Sequence, residues 1–132
     1  MKDIDLSSPS GATRSIQSSY SVTFVLGGAV TVEKEFDHVF SKDADTYQYK
    51  GKSKYVANPS TGDLAISSEI SYLKNGSDIG SYTISSSDLH ASFCGLDKGS
   101  IELKNASHHY VLTISGCGQH TLTDNGTAIP LN

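Results

Sequence analysis

The chain has 132 residues, a formal net charge of -4 and one arginine, Arg14. That length is about one domain. An acidic balance with almost no guanidinium forks argues against a nucleic-acid or phosphate-binding face, and no apolar run approaches the ~20 residues of a membrane helix. Hydrophobic residues make up 36% and charged residues 18%, so much of the polarity is neutral Ser, Thr, Gly and Asn. Such a balance suits sheets with one face on a core and one in water.

Residues 1–18 are rich in Ser, Gly and Pro and read as a flexible arm or linker, with a short strand near Ser15–Ser19, ahead of a domain at 19–132. Tyr20-Ser-Val-Thr-Phe-Val-Leu26 and Ala29-Val-Thr-Val-Glu-Lys-Glu-Phe36 flank Gly27-Gly28, a hairpin signal. A three-residue loop, Gly27 to Ala29, makes the apolar sets coincide and sets Leu26 opposite Val30 and Phe24 opposite Val32. Beyond the polar stretch 41–45, Thr46-Tyr-Gln-Tyr49 and Ser53-Lys-Tyr-Val56 read as a second hairpin turning at Lys50-Gly51-Lys52, with Tyr47 opposite Tyr55. Lys50, Lys52 and Lys54 alternate, as on a solvated face or a protected edge strand; an acidic ligand is the sharper reading.

Asn58-Pro-Ser-Thr-Gly62 is a turn, since proline presets φ and glycine supplies φ > 0. Leu64, Ile66, Ile70 and Tyr72 then share a face of a long or bulged strand, and Asn75-Gly76 turns the chain into 79–84. The segment near 87–94 reads either as one helical turn capped by Ser87 or as a strand with Leu89, Ala91 and Phe93 inward. Strands at 100–104, 109–115, 120–123 and 127–131 follow, the last pair turning at Asn125-Gly126. About eight or nine short strands in one domain predict an all-β, antiparallel sandwich, with a barrel as the alternative.

No catalytic or cofactor motif stands out, and no cofactor is expected. Cys94 and Cys117 are the two cysteines, each beside glycine, and an even pair in a serine-rich chain points to a disulfide. Two reduced thiols, or a metal set joining His90-x-x-x-Cys94 to Cys117-Gly-Gln-His120, are the other readings. His108-His109 starts a strand, with a pH switch or weak metal contact as its functional reading. Asp37, Asp43 and Asp45 read as an acidic cluster in one loop with calcium binding as its functional reading, though without an Asp-x-Asp-x-Asp-Gly motif. Three sequons, at Asn75, Asn105 and Asn125, fall at predicted turns.

The tail from Tyr110 through Cys117 to Gly126 looks like the C-terminal strands of type IV pilin head domains, where a strand leads to a cysteine, then a second strand and a turn. The likeness covers about 17 residues, and that family's N-terminal helix has no counterpart in the sequence. Asn58-Pro-Ser-Thr-Gly62 is similar to one loop of chagasin-like protease inhibitors, whose other signature loops are missing.

The composition and cysteines lead us to expect an exported module, extracellular, cell-surface or periplasmic, whose leader has been removed, since Met1-Lys-Asp-Ile is not followed by an apolar stretch. It would bind a protein or glycan, or assemble on a surface, as an adhesin or pilus subunit does. Contact loops are expected at 40–46 (Asp43, Asp45), at 58–62 (Asn58, Ser60, Thr61) and between the cysteines, with the seven tyrosines as a pool of contact residues. A small protease or lysozyme inhibitor, and a hydrolase or metal protein using His90, His108, His109 or His120, are the alternatives.

Overall fold

The computed structural model describes residues 2–7 and 12–131. The all-β, antiparallel, hairpin-built class expected from the sequence holds, and among the described residues there is no helix. The strands are β1 (Lys2–Ser7), β2 (Thr13–Phe24), β3 (Val30–Lys42), β4 (Asp45–Ala57), β5 (Asp63–Lys74), β6 (Ser77–Asp78), β7 (Tyr82–Ser92), β8 (Gly95–Lys104), β9 (His109–Gly116), β10 (Gln119–Asp124) and β11 (Thr127–Ile129). They form one open sheet in which each strand pairs with the next in sequence, except that β7 lies beside β5 and the short β6 sits off the path against β5. The segment read as an arm contains β1 and the start of β2, which pair from Lys2–Ser18 to Ser7–Thr13.

Four local expectations are corrected. The first hairpin sets Phe24 opposite Val30 and Val22 opposite Val32, a register two residues from the expected one, with a longer turn over residues 25–29. Its turn takes in Val25 and Leu26, closed by the Gly28 amide donating to the Val25 carbonyl at 2.8 Å and the Val25 amide to the Ala29 carbonyl at 3.1 Å. The apolar sets still coincide, because shifting one strand against the other by two residues preserves parity.

Lys50-Gly51-Lys52 is not a turn: β4 runs straight through it. A Cβ on Gly51 would lie 2.5 Å from the Glu69 carbonyl oxygen, 2.9 Å from Ile70 Cδ1 and 3.0 Å from the Phe36 ring. The glycine marks close packing of its neighbours' side chains over the strand rather than a reversal of the chain.

Of the two readings of 87–94, the strand holds as far as Ser92 and the helical turn does not form. Leu89 is 2% exposed, its burial favouring the extended reading, and the periodicity breaks at a bulge around Asp88, which takes φ +50°. Gly99, at φ +108°, lies so close to Asp88 and Leu89 that no Cβ would fit. The stretch 41–45 is also shorter as a loop than expected: β3 and β4 pair up to Lys42–Asp45, leaving Asp43 (φ +56°) and Ala44 as the turn.

Alternation divides the sheet into two faces. Along β5 burial alternates residue by residue, with Ile66, Ser68 and Ile70 inward and Ser67 and Glu69 outward. The outward face carries Lys50, Lys52 and Lys54 opposite Asp37, Glu35 and Glu33. These lysines lie on an interior strand, on a solvated face, and not on an edge. The inward face is apolar and buries Ile70, Leu89 and Ile114.

Candidate binding surfaces

Register places all seven tyrosines on the apolar face. Tyr47, Tyr49 and Tyr55 share parity on β4; Tyr49 faces Tyr72, and Ile70 faces Tyr82. Tyr20 joins through Lys34 to Ser53, and Tyr110 through Leu103 to Ile84. Three of the four phenylalanines (Phe24, Phe36 and Phe40) occupy positions on the same face. The rings interlock: Phe36 and Tyr49 lie 4.7 Å apart, Tyr49 and Tyr72 stack at 4.5 Å, and Tyr72 and Tyr82 stack at 6.5 Å. His38 meets the edges of Phe36 and Tyr49. Burial, then the neighbouring Tyr82 and Tyr72, push the Tyr49 phenol up to about 12.

This face is unevenly covered. Around β7 and β9, Leu89 and Ile114 are shielded. From β2 to β5 large side chains stay exposed, Tyr20 69%, Phe24 73%, Tyr55 44% and Tyr72 39%, beside Val22 and Tyr47, around the buried Ser53, Ser68 and Ile70. Two hollows lie there. One of about 550 Å³ is lined by Ile16, His38, Tyr47, Tyr49, Tyr72 and Ile79 among others. One of about 220 Å³ lies around Tyr55, between Val32 and Leu64. Cations drape over the rings of this face, Lys34 on Phe36 from an interior row and Lys74 on Tyr47 and Arg14 on Phe40 at the end row, at 5.6 to 5.8 Å. On the opposite face a groove of about 400 Å³ runs between the Lys50–Asp37 and Lys52–Glu35–Glu69 rows. The Lys52–Glu35 pair there, 3.6 Å apart and largely exposed, adds little stability.

Strand direction alternates, so the turns at 25–29, 58–62, 93–94 and 117–118 share one end of the sheet. They are clipped together in sequence. Ser60 Oγ donates to the Gly27 carbonyl at 3.4 Å. His90 Nε2 lies 2.8 Å from the Thr61 carbonyl and its Nδ1 2.6 Å from Asp97 Oδ1. The Ala91 amide donates to the Gly62 carbonyl at 2.9 Å. Cys94 and Cys117, at hairpin tips on either side of β8, form the expected disulfide with Cα atoms 5.9 Å apart. The Asp97 carboxylate, then the Thr61 carbonyl, hold the His90 imidazole above its usual pKa, and His90 in turn holds Asp97 below its own. From this end Leu26 and Phe93 project fully into solvent. Leu26, expected in the strand opposite Val30, and Phe93, expected inward, are instead exposed turn residues; the signal was an apolar pair directly before Gly27-Gly28 and a phenylalanine inside a hairpin turn.

Asn58, Ser60 and Thr61 therefore belong to the clipped end, where Asn58 Oδ1 accepts the Ser60 amide at 3.0 Å. Asp43 and Asp45 lie at the opposite end, where Asn75 Nδ2 donates to Asp45 at 3.0 Å. Asp37 is mid-strand and accepts from Gln48, so the three aspartates do not share a loop. The three sequon asparagines (Asn75, Asn105 and Asn125) share that opposite end too.

The histidines divide likewise. His90 and His120 are near the clipped end, whereas His108 pairs with Asp124 at 2.7 Å and His109 with Glu102 at 2.9 Å near the other. The disulfide occupies both sulfurs that a Cys2His2 set would need, and among the described residues no three His, Cys, Asp or Glu side chains are grouped to hold a metal. Among those residues no helix is long and apolar enough to cross a membrane. Comparisons with family models, with curated proteins and with solved structures return no match to this chain.

Proposed function

We propose that the chain is an exported, disulfide-tied binding or surface-assembly module, of the adhesin or pilus-subunit kind, working through the open half of its tyrosine face. The observation that carries this reading is the placement of all seven tyrosines on one face, with Tyr20, Tyr47, Tyr55 and Tyr72 exposed. Tyrosine offers large contact area at low entropy cost, and a contiguous exposed apolar patch marks an interaction site. The partner is a protein or a glycan. The disulfide supports an oxidising compartment: extracellular, cell-surface or periplasmic.

A second reading, the small inhibitor, is favoured by the clipped end. Leu26 and Phe93 stand on turns held by hydrogen bonds and a disulfide, as loops inserted into a cleft must be.

The test is to immobilise the chain and probe arrayed glycans and extracellular-matrix proteins. Beside it run Tyr55→Glu/Tyr72→Glu and Leu26→Ser/Phe93→Ser. Binding lost only in the tyrosine variant supports the face; binding lost only in the tip variant supports the second reading; binding kept by both overturns both. Intact mass of exported protein, two hydrogens below the reduced chain with no labelled thiol, checks the compartment.

A further inference from the structure

We infer that the open half of the tyrosine face is covered by a second copy of this chain, in a face-to-face dimer. The inference rests on the proposed reading of that face and names its partner. A domain normally buries its apolar face between two packed layers. This chain contributes one continuous sheet, whose apolar face is shielded at Ile70, Leu89 and Ile114 and leaves Tyr20, Val22, Phe24, Tyr47, Tyr55 and Tyr72 exposed between β2 and β5.

The area is of the right size. The accessible surface is 8818 Å². A compact monomer of 14.0 kDa should expose about 6,700 Å². The excess over the whole chain, about 2,100 Å², is comparable with the roughly 1,000–2,500 Å² that each partner buries in an obligate dimer. Two such faces stacked about 10 Å apart make an aligned sandwich.

Charge permits the contact. The rows from Phe36 through Gly51 to Ile70 and from Val32 through Tyr55 to Ile66 carry no ionisable group except the tyrosine phenol, and the row between them carries one cation, Lys34, opposite Ser53. The carboxylates Glu33, Glu35, Asp37 and Glu69 fall on the outward face. A net charge of -4 per chain therefore does not set carboxylates of the two copies against each other. Lys34 lies over the Phe36 ring, and Arg14 and Lys74, in the end row through Phe40 and Tyr47, lie over those two rings.

Sedimentation equilibrium of the disulfide-bonded chain from 1 to 100 μM, beside Tyr55→Glu/Tyr72→Glu and the outward-face control Ser67→Glu, tests this. Wild type and Ser67→Glu should show twice the monomer mass, and the tyrosine variant the monomer mass. Both substituted tyrosines are already part-exposed, so the variant should fold, as far-UV circular dichroism would check. Iodide quenching of tyrosine fluorescence in the wild type gives a second readout, expected to weaken at the dimeric concentration.

A wild-type monomer at 100 μM with unchanged quenching overturns the dimer. The face reading then still stands if the tyrosine variant loses array binding. A dimer unmoved by the tyrosine substitutions, or a ladder of larger species from edge pairing of β1 and β11, overturns the face-to-face geometry.

Discussion

Ser68 Oγ donates to Ser53 Oγ at 3.0 Å across neighbouring strands, and both serines are buried in the middle of the face that carries the tyrosines. Each hydroxyl compensates the other's loss of water. Ser68→Ala leaves the Ser53 hydroxyl without that partner and should cost about 1–2 kcal/mol. Replacing both with alanine should cost less than the two single changes together, because the surviving hydroxyl's penalty disappears. Urea midpoints of the two singles and the double check this; strict additivity would show that the pair is not coupled.

Gly51 gives a prediction of unusual sign. Replacing a strand glycine with alanine ordinarily stabilises the chain by reducing unfolded-state entropy. Here the new methyl would meet the Glu69 carbonyl at 2.5 Å. Gly51→Ala should therefore destabilise by about 1–3 kcal/mol, as overpacking does. A neutral or raised urea midpoint would show that Phe36 and Ile70 do not close over this position.

The contrast at Gly51 shows where the sequence could be read and where it could not. Alternation marked the strands and their apolar parity, as in Val22, Phe24, Val30 and Val32, because parity survives an error of two residues in register. It could not separate a turn glycine from one that accommodates neighbouring side chains, because both look like Lys-Gly-Lys. The bulge at Asp88 hid β7 for a related reason: one inserted residue breaks the alternation. The cysteine pair was legible from count and context. The clipping of four turns at one end was not, since Thr61 meets His90 only once β5 and β7 are neighbours.

The disulfide ties two hairpin tips separated by 23 residues in sequence. In the chain-entropy model a loop of this size is worth about 3 kcal/mol, through the unfolded state. Reduction, or Cys94→Ser/Cys117→Ser, should lower the urea midpoint accordingly and raise the m-value as the unfolded chain expands. Equal midpoints with and without reductant would show that the bond adds no net stability.

His90 should make the clipped end pH-sensitive. Both ring nitrogens face acceptors, Asp97 Oδ1 and the Thr61 carbonyl, an arrangement that favours the imidazolium. Its pKa in the folded chain is raised above 6.5. The contribution is thus complete below 6.5 and is lost as pH rises through the higher folded value. Asp97 is shifted the other way: its contribution is present above 3.8 and is lost as pH falls through its lowered value. The clip should be tightest between those limits. The His90 imidazole resonance should titrate above 6.5, and exchange of the Ala91 amide, which is bonded to Gly62, should quicken above that midpoint. His90→Gln should remove the pH dependence. A midpoint at or below 6.5, or exchange that does not respond to pH beyond its intrinsic rate, would show that the turn at 58–62 is held without the charge on His90.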